Sequence, residues 1–411
     1  MDRSQRLLVS LLSAAIRGQK PEISINEEIN WEAVFEEAIA HDVHALVFPA
    51  VKDLDATVQP EHELLLQWEK AALLAGVKQV QHIEDVRMVL ETLDQAGIPV
   101  IALKGLVLRE LYPQPELRTM VDADILVHEE DMEKAKGILS RLGYYEESRD
   151  SKHIHFEHKT KKIIELHKTL VLPESFDKPF ISMDSLWRRA KPCSIAGIPT
   201  QTLSDEDHLL HLSLHMAEHI KAYGFGLRQL CDFALLIERR GNSTDWNLFD
   251  KRIELMGITR FVQIMFHVCD ILLGIRLPKN GRNTQFDRDK SSLDLLINDI
   301  ISGGVYGQRG SVRHVGNQIL RYSKRDDAEK QPNKVALLFS YLFPPVKRLG
   351  TRYTYTKHYP FLYPIAWVHR LFFNILYANF KKVYSTVFTE SSASISLFQE
   401  RQKLLQWLGL E

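Results

Sequence analysis

The chain has 411 residues, 45% of them apolar and 26% charged, with 52 Lys plus Arg against 53 Asp plus Glu. That composition can bury more than one core and excludes a largely disordered chain. The net charge of −1 argues against a whole-chain binder of nucleic acid or another polyanion.

The first 95 residues read as helices. Asn30 is placed to cap a stretch opening at Trp31, and Glu61 to Gln95 forms a longer helical pattern ended by Gly97 and Pro99. The periodicity then changes. Ile98 to Leu103 is a short β-like run, Gly105 to Leu111 is helical, and Val121 to Val127 is a second strand. Glu129 to Leu142 is an amphipathic helix closed by Gly143, followed by weaker strands at His153 to His158 and Lys162 to Lys168. From Ser204, which with Asp207 resembles a capping box, the chain returns to helices. Asn280 to Lys290 reads as a linker and Ser302 to Arg313 as a Gly-containing loop. A last amphipathic helix spans Ser391 to Gln406. The expected fold class is α+β. Segment 1–95 is helical, 96–180 is a small mixed-sheet core, 181–330 is a helical domain, and 331–411 is an aromatic, basic helical region.

The three cysteines, Cys193, Cys231 and Cys269, lie far apart, with no C-x-x-C pair. A reducing, cytoplasmic setting is expected, without a thiolate metal site or a disulfide framework. No signal peptide is evident, and no uncharged apolar run reaches the roughly 18 residues of a spanning helix.

The chemical signal lies at Asp122-Ala-Asp124, followed by Ile125-Leu126-Val127. On a strand both carboxylates share one face, where they repel unless one protonates or a cation sits between them. Mg²⁺, a hard ion that takes oxygen ligands and keeps waters for phosphates, is the natural partner, with Mn²⁺ as a substitute. Glu165, inside the apolar run Ile163-Ile164-Glu165-Leu166-His167, supplies a third acid if that strand lies alongside. Three such acids suit metal-assisted phosphoryl or nucleotidyl transfer. Taken alone, D-x-D reads more simply as strand-edge acids. Upstream, Lys104-Gly105 joins a strand to a helix, a setting in which bare backbone can approach a phosphate, and Arg118 could donate to phosphate as a fork.

Together Leu103-Lys104-Gly105, Leu111-Tyr112-Pro113, Arg118, Asp122-x-Asp124-Ile125-Leu126-Val127, Gly143-Tyr144, Glu165-Leu166-His167 and Leu227-Arg228-x-x-x-Asp232 resemble the uncharacterised bacterial nucleotidyltransferase family of the DNA polymerase β-like superfold. The resemblance covers roughly residues 30–280. It implies a small mixed sheet with helices, Gly105 as the triphosphate-loop glycine, Asp122 and Asp124 as the metal-binding pair, and Glu165 as the third acid. The sequence departs from the broader pattern at Leu106, where Ser or Gly is usual, which makes Lys104 the substitute phosphate donor.

His208, His211, His215 and His219 fall on one helical face. This face admits a hydrogen-bonded helix surface, a wall of a polar cleft, or a zinc site built on His211, His215 and His219. Arg228 and Asp232, four apart, read as an intrahelical ion pair. Segment 341–388 carries seven Lys or Arg and no acid among many aromatics. It admits a packed subdomain, a peripheral membrane contact or a nucleic-acid grip.

The sequence therefore points to a Mg²⁺-dependent nucleotidyltransferase. It would move a nucleoside monophosphate from an NTP, ATP before others, to a hydroxyl or phosphate of a small-molecule, glycan or peptide acceptor. Asp122, Asp124 and Glu165 would be catalytic and metal-binding, with Lys104, Gly105 and Arg118 at the phosphates. A non-catalytic binding protein of the same fold and a metal-dependent phosphohydrolase on the histidine face are the rival readings.

Overall fold

The computed structural model describes residues 1–21, 23, 29–150, 152–170, 182–275, 289–307, 309, 313, 353, 356, 359–377 and 391–410. Helices α1 (Arg3–Ala15), α2 (Trp31–Ala40) and α3 (His44–Lys52) precede the long α4 (His62–Gln95). The Asn30 side chain accepts the Ala33 N–H at 3.0 Å and caps α2 as its position predicts. At 34 residues, α4 runs about 50 Å, long enough to belong to two cores. Leu64, Trp68 and Ala72 pack with α1–α3, while Val86, Val89, Leu90 and Leu93 pack on the sheet.

Next come β1 (Ile101–Ala102), α5 (Gly105–Leu108), β2 (Asp122–Leu126), α6 (Met132–Arg141), β3 (Tyr145–Arg149), β4 (His153–Glu157) and β5 (Ile163–His167). Then follow α7 (Met183–Arg189), β6 (Lys191–Ile195), β7 (Ile198–Thr202), α8 (Asp205–Ala222), α9 (Leu227–Arg240), α10 (Trp246–Leu255), α11 (Thr259–Leu273) and α12 (Lys290–Gly303). Helices α13 (Tyr363–Tyr377) and α14 (Ser391–Leu408) complete the described elements.

The seven strands form one mixed sheet in the order β3-β4-β5-β2-β1-β7-β6. β2 runs parallel to β5, and β1 parallel to β7; the other neighbours are antiparallel. Alternation along β2 sends Ala123 and Ile125 into the core under α4 and α6, and Asp122, Asp124 and Leu126 to the opposite face. Leu126 there joins the large helical core. The acids thus occupy the sheet face turned toward the helical half of the molecule.

The α+β class is as expected, but the division at residue 180 is not followed by the sheet. β6 and β7, within the stretch read as purely helical, extend the sheet through β1. β3 is also an added strand. The linker expected at Asn280 to Lys290 falls mainly outside the described residues. Of 341–388, only Tyr353, Thr356 and 359–377 are described. There, Ile365, Val368 and Phe372 on α13 are exposed, so these three are not core residues. Among the described residues, no helix is long and apolar enough to cross a membrane.

Candidate active site

The parallel pairing of β2 with β5 sets Asp124 directly opposite Glu165. Ligand oxygens of Asp122, Asp124 and Glu165 all lie within 4.8 Å of one another. The three acids expected to converge are therefore brought together, and hydrogen bonds order them. Lys104 Nζ donates to Asp124 Oδ1 at 2.7 Å, and His167 Nε2 lies 2.8 Å from the same oxygen and 3.3 Å from Glu165 Oε2.

These contacts divide the charge unevenly. Burial pushes the Asp122 carboxyl up to about 6, reinforced by the negative charges of Asp124 and Glu165. Burial acts upward on Asp124 too, but Lys104 and His167 outweigh it and hold that carboxyl well below its usual range. Glu165 is likewise held low against its burial, chiefly by the hydrogen bond with His167. Such a cluster has one under-compensated acid, and a divalent cation relieves it.

Lys104 reaches Asp124 from a backbone with φ +42°, a region L-residues rarely occupy. The next residue explains why the turn must be so tight. A Cβ on buried Gly105 would sit 2.7 Å from Arg118 Nη1 and 2.8 Å from Met120 Sδ. In the described geometry Gly105 makes room for a side chain packed beneath it, and α5 beyond it is a single turn of four residues. Arg118 is itself buried, and its guanidinium is committed to Asp232 on α9, which also accepts from Tyr112 Oη at 2.8 Å. Arg228 pairs with Asp42 at 2.6 Å instead. The intrahelical Arg228–Asp232 pair expected from spacing is thus replaced by two long-range pairs. Both tie the segment before β2 to helices, because Arg228 also donates to the Thr119 carbonyl at 3.3 Å.

Gln79, in the middle of α4, was not marked by any motif. It donates to the Met120 carbonyl and accepts the Met120 N–H, each at 3.0 Å, two residues before Asp122. Its one sequence signal is its place on the buried stripe Ala72, Gln79, Val86, Leu93, spaced by sevens.

The histidine face of α8 is buried at His208 and His211, and His215 and His219 meet Nε2 to Nε2 at 3.1 Å. Burial keeps all four imidazoles neutral, most strongly at His211 and His215, where the charges of Lys104 and Lys152 add to the effect. Lys104, the partner of Asp124, is among the charges that act on His211, His215 and His219. Lys152 Nζ lies 3.4 Å from Glu218 and links α8 to the start of β4. Among the described residues, the donor groups close enough to hold a metal ion are Asp122-Asp124-Glu165 and His153-Glu165-His167. Neither includes His211, His215 or His219.

Among solved structures, the chain is similar to the antibiotic-resistance factor ANT(2'')-Ia in solution, at 13% identity over 46% of this chain and 98% of that one, with a TM-score of 0.34. It is also similar to the crystal structure of ANT(2'')-Ia with adenylyl-2''-tobramycin, at 13% identity, 42% and 97% coverage and a TM-score of 0.34. The lincomycin-bound lincosamide antibiotic adenylyltransferase LnuA gives 16% identity, 37% and 94% coverage and a TM-score of 0.29. Overlaps this loose carry no argument about substrate. No curated protein matches the chain significantly. A family model described as uncharacterised nucleotidyltransferase matches residues 27–274, more than half the chain and the whole of the acid-bearing sheet. The chain belongs to that nucleotidyltransferase family.

Proposed function

We propose that this nucleotidyltransferase moves a nucleoside monophosphate from an NTP, ATP before others, to a hydroxyl or phosphate of a small-molecule, glycan or peptide acceptor, releasing pyrophosphate. The observation that carries the reading is the convergence of Asp122, Asp124 and Glu165 on one sheet face. Their donor set consists of carboxylate oxygens, which fits Mg²⁺, with Mn²⁺ as a substitute. When bound, the divalent ion neutralises triphosphate charge and favours the acceptor's oxyanion.

The chain's own residues do the rest. Asp122 and Asp124 hold the cation. Glu165, kept ionised by His167, takes the proton from the acceptor oxygen. Lys104 supplies positive charge for the phosphates from within 2.7 Å of Asp124. Gly105 and Arg118 position that lysine from below. The three free cysteines support a reducing, cytoplasmic location.

The test is transfer of label from [α-³²P]ATP and other α-labelled NTPs into acceptors from a small-molecule extract. Mg²⁺-dependent incorporation is expected, and its loss in Asp122→Ala and Asp124→Ala. Full Mg²⁺-dependent turnover in either variant contradicts the assignment.

A further inference from the structure

We propose that His153, Glu165 and His167 form a second divalent-cation site, one with nitrogen donors, which takes a transition-series ion such as Zn²⁺ or Co²⁺ in preference to Mg²⁺. The antiparallel register of β4 and β5 sets His153 directly opposite His167 and places both on the face that carries Glu165. The two rings stack with centroids 4.8 Å apart. His153 Nε2 is 3.6 Å from Glu165 Oε1, and His167 Nε2 is 3.3 Å from Glu165 Oε2. One donor atom from each of the three residues lies within 4.8 Å of the others.

The 3.6 Å separation exceeds a hydrogen bond and the 3.3 Å one is at its long end, and both suit a shared ion. Two donors about 2.1 Å from a tetrahedral ion lie about 3.4 Å apart. The carboxylate offers a different oxygen to each ring, so small side-chain rotations bring three donors to one point.

The far side of the His153 ring supports the same reading. His153 Nδ1 lies 3.5 Å from Asp150 Oδ1, a carboxylate anchored by the backbone N–H groups of Lys152 and His153. A carboxylate behind a ligating imidazole is the arrangement that orients such ligands. Two imidazoles select against Mg²⁺, which prefers oxygen and retains its water.

Glu165 belongs to both donor sets, so an ion held by the histidines draws on the carboxylate of the acid triad. The site itself does not depend on nucleotide transfer, since its donors are defined by the β4–β5 pairing alone. The competing account is that His167 serves only as a hydrogen-bonding partner for Asp124 and Glu165.

The experiment titrates metal-free, full-length protein with Co²⁺ alone and follows its visible absorption, with Zn²⁺ as competitor. One saturable equivalent displaced by Zn²⁺ is expected. His153→Ala and His153→Gln should each weaken Co²⁺ binding by at least about tenfold, with unchanged thermal melts, while Asp122→Asn changes it by less than about threefold. Three results overturn the proposal: no saturable Co²⁺ binding by the wild-type protein, wild-type affinity in either folded His153 variant, or equal loss in Asp122→Asn. Mg²⁺-dependent NTP binding, measured on the same samples, separates failure of this site from failure of the nucleotidyltransferase mechanism.

Discussion

Lys104 Nζ lies 2.7 Å from Asp124 Oδ1, and it gets there from a backbone with φ +42°. A strained lysine is therefore spent on neutralising one acid of the triad. Strain of this kind costs about 1–3 kcal/mol, and glycine relieves it. Lys104→Gly and Lys104→Met both lose the ion pair, but only the glycine variant loses the strain. Lys104→Gly should melt higher than Lys104→Met, with both deficient in nucleotide transfer. Equal melting temperatures would place the energetic cost elsewhere.

Asp122 and Asp124 predict opposite pH behaviour. The Asp122 carboxyl is raised to about 6, from an ordinary value of 3.8. Its stabilising contribution is complete below 3.8 and is lost as pH rises through about 6. Above that, the metal-free protein carries a penalty of roughly 1–3 kcal/mol, given about 1.4 kcal/mol per tenfold change in proton affinity. Asp122→Asn should thus stabilise metal-free protein at pH 8 and change little at pH 4. Asp124 is held low, so its contribution is present above 3.8 and lost as pH falls through its folded value. Asp124→Asn should destabilise at pH 8. Melting curves at the two pH values, without metal, read both signs.

Arg118 and Asp232 are buried partners 114 residues apart. Removing one leaves the other charged and uncompensated, at a cost of about 3–5 kcal/mol. Asp232→Ala should lose that much in urea unfolding. The double variant Arg118→Met/Asp232→Leu should recover most of it, because an apolar pair of similar volume replaces two desolvated charges. A double variant as unstable as Asp232→Ala would show that the pair does more than balance itself.

Gly105→Ala places a methyl against Arg118 Nη1 and Met120 Sδ. Overpacking of this sort costs about 1–3 kcal/mol. Because the displaced groups lie just before β2 and beside the residue that follows Lys104, kcat/KM should fall with stability. Thermal melts that match wild type would mean that the loop has slack the structure does not show.

The acid-bearing strands were legible because period-2 alternation and apolar runs mark them, as in Ile163 to His167 and Asp122 to Leu126. Three other strands were not. Tyr145–Arg149 is a sheet edge, polar on both faces, and Lys191–Thr202 is half-exposed with Pro192 and Pro199 in it. The one clue to that hairpin was Ala196-Gly197, both at positive φ in a two-residue turn. The supports of the site were the least legible. Asp232 meets Arg118, Asp42 meets Arg228 and Gln79 meets Met120 only through the tertiary fold, and no local periodicity encodes a contact between residues tens to hundreds of positions apart.

The central claim is that Asp122 and Asp124 bind a divalent cation that in turn holds the nucleotide. Its most direct measurement is calorimetric titration of the protein with a non-hydrolysable ATP analogue, with and without Mg²⁺. The account predicts binding that requires Mg²⁺ and is at least about tenfold weaker in a folded Asp122→Ala/Asp124→Ala variant, equivalent to about 1.4 kcal/mol. Equal affinity in that variant, or binding indifferent to Mg²⁺, would contradict it.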